Sequence, residues 1–224
     1  MVASRFFTPD DRRAIADAVA AAEQQTAGEV VPVLATSSDD YHRAEDLIGL
    51  GTAFVALATT WTLFQRLLPP ADWDGPYELA IQLPVILIIL VAGFAIGALL
   101  ATRLPWLKRL AVSRRTMTTR VMIAAHHAFD ALHVRRTAGA TGIVIYVSLF
   151  ERQVCVWADQ AISTVIPASE WHGTCEILTK ALRQGHARQG FVDAIRKCGE
   201  LLSKHLPSQP RDKNELANEL RILD

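Results

Sequence analysis

The chain has 224 residues, and its 23 Lys and Arg balance 23 Asp and Glu, so no basic surplus points to nucleic acid and no acidic surplus to a solvating tail. The charge is unevenly spread: Leu47 to Thr102 holds four charges in 56 residues, while the other 168 residues hold 42. That contrast argues against a wholly soluble protein with a single core and sets an apolar middle between two segments of soluble composition.

In the first segment, Thr8-Pro9-Asp10-Asp11 reads as a helix start, with a hydroxyl cap, proline at the first helical position and acids beside the positive end of the dipole. Ile15, Ala18, Val19 and Ala22 then recur on one face until Gly28 ends the helix. Glu29 to Thr36 (EVVPVLAT) is a β-branched run of strand length, and its proline predicts an edge position or an early bulge.

Leu47 to Leu68 is a run of 22 residues whose only charge is Arg66. As a helix it reaches roughly 33 Å, enough for a hydrocarbon core of about 30 Å. Leu79 to Ala101 is a second run without any charge, with Gln82 and Pro84 in its first turns, where an interfacial helix start tolerates them. The ten residues between them, PPADWDGPYE, hold three prolines and a glycine and read as a turn, so the whole is a transmembrane helical hairpin. Two buried helices of a soluble core are the alternative, but such helices rarely run so far without charge in a chain this short.

Arg43 precedes the first span, and Arg103, Lys108, Arg109, Arg114, Arg115 and Arg120 follow the second, whereas the Asp72 to Glu78 loop has three acids and no base. Positive charge stays on the cytoplasmic side, so both termini are expected there and the loop outside. Trp61, Trp73, Tyr77 and Trp106 then fall near the interfaces. With the first apolar run beginning only at Leu47, behind a polar leader, no cleavable signal is expected. Cys155, Cys175 and Cys198 are an odd number without C-x-x-C spacing, and in a reducing compartment they read as buried apolar residues.

After the hairpin, Met117, Val121, Ala125, Phe129 and Leu132 mark a helix with a basic outer face. Ile143 to Leu149 and Gln153 to Trp157 are two β runs joined at Phe150-Glu151-Arg152, an antiparallel hairpin. Two amphipathic helices follow: Trp171, Cys175, Leu178 and Leu182 stripe the first, which stops near Gly185, and Phe191, Ile195, Cys198 and Leu202 stripe the second, which stops before Pro207. Leu216, Leu220 and Leu223 make a short third stripe in a C-terminal tail. The first segment has one strand and cannot make a sheet alone, so the economical arrangement is one α/β layer domain built from both segments on the same side of the membrane.

The common catalytic signatures are absent: no G-x-x-x-x-G-K-[ST], no G-x-G-x-x-G after a strand, no H-E-x-x-H, no G-x-S-x-G, no C-x5-R and no D-x-D-x-[TV]. His126 and His127 are adjacent on a helix, point about 100 degrees apart and cannot both ligate one ion, so a solvated or interfacial pair is the better reading. Gly93-x-x-x-Gly97, with Gly49-x-x-x-Ala53, forms a small-residue ridge that either packs the hairpin on itself or supports a homo-oligomer. Asp159 directly follows a strand, where loops carry function; equally it can cap the helix from Gln160 onward.

The opening F-F-x-x-x-D with its helix and E-Q-Q-T-A-G-E-V-V-P-V at Glu23 to Val33 resemble the start of the TPM domain, the fold of a thylakoid-lumen acid phosphatase and related bacterial proteins. T-G-I-V-I-Y-V-S-L-F-E-R-Q-V-C-V-W-A-D-Q-A-I at Thr141 to Ile162 is similar to that family's strand pair, and Trp171 and G-x-x-x-x-G-F-x-x-A-I at Gly185 to Ile195 follow its pattern. The resemblance implies an α/β sandwich of a small mixed sheet and helices, here interrupted by the hairpin. It also implies binding of calcium or another divalent cation by carboxylates and feeble phosphate-ester hydrolysis. Asp159 is the residue carried over, with Glu29, Asp39 and Asp40 as further ligands only where the first strand lies beside it. The second acid that other members have is missing, since Ser163-Thr164-Val165 stands in its place.

The expected organisation is a cytoplasmic TPM-like domain begun by residues 1–46, a transmembrane hairpin at 47–102 with spans near 47–68 and 79–101, the rest of the domain at 103–206, and a tail at 207–224. The expected function is a multi-pass protein of the inner (cytoplasmic) membrane that partners the lipid bilayer and a protein within it, for assembly or maintenance of a membrane complex. The alternative is a weak phosphatase assisted by a divalent metal at Asp159.

Overall fold

The computed structural model describes residues 2–67, 83–137, 139–208 and 215–224. It divides into an α/β unit, formed by the chain up to Asp39 and from Arg114 onward, and a helical unit of Asp40–Ser113.

The α/β unit opens with α1 (Pro9–Glu23) and β1 (Glu29–Ala35). Thr8 starts α1 with a capping box: its hydroxyl accepts from Asp11 N at 3.2 Å, and the Asp11 carboxylate accepts from Thr8 N at 3.1 Å. After the helical unit come α5 (Arg114–Ala131), β2 (Gly142–Ser148), β3 (Gln153–Ala158), α6 (Gln160–Val165), α7 (His172–Arg183), α8 (Ala187–His205) and β4 (Arg221–Leu223). The sheet runs β3-β2-β1-β4, with β1 parallel to both neighbours and β2 antiparallel to β3.

Every residue of β1 and β2 is buried, as a parallel pair covered on both faces requires. On one face Val30, Leu34, Ile143 and Ile145 pack with Ile15, Leu178, Phe191 and Ile195 of α1, α7 and α8. On the other, Val31, Val33, Val144 and Tyr146 pack with Val121 and Phe129 of α5. Each fully buried large side chain contributes roughly 1.5–3 kcal/mol, so this two-faced core dominates the stability of the unit. The architecture is α/β, a small mixed sheet between helical layers.

Two expectations are corrected. The proline strand is not at the sheet edge, because β1 lies between β2 and β4. Pro32 is tolerated there because alternate amides of β1 point to opposite sides. Glu29 N donates to Thr141 O on the β2 side, while Thr36 N donates to Leu223 O on the β4 side. Pro32 falls on the β4 side, and β4 pairs only with Val33 to Ala35, so the missing N–H meets no ladder partner. The second correction is the tail: its end is a strand of this sheet, not an appendage outside the domain and not a third helical stripe.

Gly142 shows why β2 starts as it does. A Cβ there would lie 2.3 Å from Val134 Cγ1 and 2.8 Å from Val134 O, so the backbone approach requires glycine.

The helical unit holds α2 (His42–Leu67), α3 (Leu83–Arg103) and α4 (Pro105–Ala111). It is broader than the expected 47–102, because the polar first turns of α2 and the short α4 belong to it. The helices α2 and α3 are long and apolar enough to cross a membrane, and only 11% of each apolar window is buried, unlike core helices of a soluble protein. They pack through small residues: a Cβ on Gly93 would lie 2.8 Å from Ala53 Cα, and one on Gly97 would lie 2.9 Å from Gly49 Cα. The ridge is therefore used within the hairpin. The segment expected to form the turn, with Asp72, Trp73, Tyr77 and Glu78, lies outside the described residues.

Candidate functional site

Asp159 sits where β3 gives way to α6. Its N–H donates to Gly142 O at 3.0 Å, which ties it to the start of β2. Its Oδ1 accepts from Gln160 N at 2.7 Å, making it the N-cap of α6. The residue is only 5% exposed, and its Oδ2 is buried without a hydrogen-bond partner.

Glu29 starts β1 at the same end of the sheet, paired with Gly142. Asp159 flanks Gly142 on the other side, so β2 separates the two acids and their backbones lie about 10 Å apart at the usual strand spacing. The carboxylate of Glu29 accepts from Glu215 N at 3.1 Å, which draws the C-terminal segment against the start of β1. Beside it, Glu23 at the end of α1 accepts the Val30 N–H at 3.0 Å. That amide lies on the β4 side of β1, below the point where β4 begins to pair, so Glu23 takes the place of a neighbouring strand.

Burial pushes the Glu23 carboxyl up to about 8, with the neighbouring Glu29 charge adding to the rise and the Val30 amide opposing it. Burial also raises Glu29, against the lowering effect of the Glu215 and Leu216 amides. The two carboxyls lie close enough to influence each other's proton, and burial raises both. Glu23 was not singled out by the sequence reading. Its signal was the Glu-x5-Glu spacing across Gly28, which means little until the helix-to-strand turn brings both carboxyls to one place.

Asp39 lies at the other end of β1, where Arg120 Nε meets its Oδ2 at 2.9 Å. There the buried Glu151 braces the β2–β3 turn, accepting from Ser38 N at 2.9 Å and from the Ser148 hydroxyl. Seven residues of β1 separate Glu29 from this end, on the order of 20 Å. Asp40 belongs to the helical unit, where its carboxylate lies 3.6 Å from His42 Nε2 and its carbonyl accepts from Lys108 Nζ at 3.1 Å.

A divalent ion of the calcium type takes six or more oxygens. Among the described residues no three His, Cys, Asp or Glu side chains come together as a metal site. Asp159 and Glu29 each keep one buried oxygen without a hydrogen-bond partner, Oδ2 and Oε2, but the two acids start from backbones on opposite sides of β2, and two carboxylates fall short of six oxygens. The residues present do not fit such an ion. The cysteines are free thiols: burial pushes Cys155 to about 11 and Cys198 to about 12, so neither is a ready thiolate at neutral pH. The His126 ring lies tilted against that of Trp157, centroids 4.9 Å apart, its Nε2 is 3.6 Å from Asp130 Oδ2, and its ring is 6.4 Å from that of His127.

A split mixed sheet with helices on both faces and a capping acid after its antiparallel pair defines the class of fold. Residues 110–201, within the second segment, match the family model of the TPM domain. The fold is similar to the NMR structure of the BA42 protein from the psychrophilic bacterium Bizionia argentinensis sp. nov., with 20% sequence identity and a TM-score of 0.57 over 97% of this chain and 96% of that one. No curated protein matches the chain.

Proposed function

We propose that this is an integral protein of the inner (cytoplasmic) membrane, held by α2 and α3 with both termini cytoplasmic. Its split α/β unit serves as a docking module for a protein partner in the assembly or maintenance of a membrane complex. The observation that carries the reading is the pair of long apolar helices with little of their surface buried, carried by a chain whose other unit has an ordinary buried core. The carboxylates support binding over catalysis, because each has a structural duty: Asp159 caps α6, Glu29 holds the tail and Asp39 pairs with Arg120.

The test is fractionation with topology reporters. The protein should stay with membranes after high-salt and carbonate washing, and reporters at the N-terminus and after Asp224 should read cytoplasmic while one at Gly75 reads external. Release by carbonate, or an external signal from either terminus, would refute the reading.

One observation favours the phosphatase reading, the buried and unpartnered Oδ2 of Asp159. If that oxygen served catalysis, Asp159→Asn would remove several kcal/mol of transition-state stabilisation, about a hundredfold or more in rate. Asn caps nearly as well as Asp, so a structural Asp159 leaves stability within about 1 kcal/mol of the parent. The expected outcome is little phosphate-ester turnover with magnesium, manganese or calcium and an almost unchanged melt for Asp159→Asn. Metal-dependent turnover abolished in the variant would reverse the assignment.

A further inference from the structure

The short helix α4 follows α3 after a single residue, Leu104, and its seven residues PWLKRLA carry two opposite faces. Trp106 and Leu110 are one helical turn apart and stand 59% and 75% exposed. Lys108 points the other way, about 200 degrees around the helix from Trp106. Its Nζ meets Glu45 Oε1 at 2.5 Å and donates to the backbone carbonyl of Asp40 at 3.1 Å; Lys108 and Glu45 are partly buried, and all three residues belong to the helical unit. The start of α2 and the end of α3 are therefore joined through the polar side of α4, which turns its apolar side outward.

Exposed Trp and Leu at the water-facing end of an apolar hairpin have a physical use at a bilayer. A helix that begins one residue beyond a spanning segment cannot leave the headgroup layer, and its apolar side chains gain by entering the boundary between headgroups and acyl chains. Arg103 before it and Arg114 and Arg115 after it supply positive charge suited to anionic headgroups. We infer that α4 is an interfacial foot, which lies along the cytoplasmic lipid surface with Trp106 and Leu110 inserted and is held at that angle by the Lys108–Glu45 ion pair. This rests on the reading that α2 and α3 span the membrane.

The experiment uses the full chain in nanodiscs of anionic and zwitterionic lipid, with bromine placed either shallow or deep on the acyl chains. Tryptophan quenching of the parent minus that of Trp106→Phe isolates Trp106, and the corresponding difference with Trp61→Phe isolates a residue within α2. The Trp106 component should be quenched by shallow bromines about twofold more than by deep ones and be shielded from aqueous iodide, as a ring seated about 5–10 Å into the interface requires. A Trp106 component untouched by bromolipid and open to iodide, with Trp61 still quenched, overturns the foot alone and leaves the face to a protein. Loss of the Trp61 signal as well overturns the membrane reading itself. A Glu45→Gln variant should also lower the shallow quenching of Trp106, because the ion pair that sets the angle of α4 is gone.

Discussion

At Glu23 two demands compete: its carboxyl must accept the Val30 N–H, and it must do so half-buried beside the Glu29 carboxylate. Raised to about 8, Glu23 is protonated in the folded chain at pH values where the unfolded chain has already released that proton. The folded state therefore holds more protons between roughly pH 4.5 and 8, and the stabilising effect, full below the unfolded value, is lost as pH rises through the folded one. Glu23→Gln keeps an acceptor for Val30 N–H and removes the titration. Thermal melts from pH 5 to 9 should show the parent losing stability with rising pH more steeply than the Gln variant, which should melt higher at pH 9. Parallel curves for the two proteins would show that Glu23 ionises without burden.

Elements whose signal is local were legible. The hydroxyl cap at Thr8, the β-branched runs on either side of Phe150-Glu151-Arg152, and the apolar stripes of α7 and α8 each carry their own period or cap, and each stands where the pattern put it. Elements defined by a partner were not. β4 is three residues, Arg221–Leu223, and Leu216, Leu220 and Leu223 fit a helical stripe as well as a strand; only pairing with Val33 to Ala35 decides, and that partner lies far away in sequence. Pro32 shows the same limit from the other side, since the local rule that proline avoids a ladder holds amide by amide while the strand as a whole is central. The candidate site was legible only at Asp159, whose cap follows from its neighbours in sequence; the Glu23–Glu29 pair and its tail clasp exist only once α1, β1 and the C-terminus have met.

At the scale of the molecule, the α/β unit is made from both ends of the chain, so its folding should not depend on the helices inserted between them. The exposed large apolar side chains it presents among the described residues are few, namely Val2, Met122, Ile123, Val165 and Leu223, while the others of this kind lie in Asp40–Ser113. The cut ends are also near one another: Asp39 meets Arg120 at 2.9 Å, and Arg114 is about 9 Å back along α5. A linker of roughly ten Gly and Ser residues spans that gap with slack, and shortening a long insertion to such a loop lowers the closure cost by about 1–2 kcal/mol. Joining Asp39 to Arg114 in this way should give a soluble monomer with an α/β circular dichroism spectrum, a cooperative melt, and the same loss of stability with rising pH that Glu23 imposes on the full chain. Aggregation or a non-cooperative melt at several linker lengths would mean that the sheet needs the inserted helices to form, and that the two units are one folding unit.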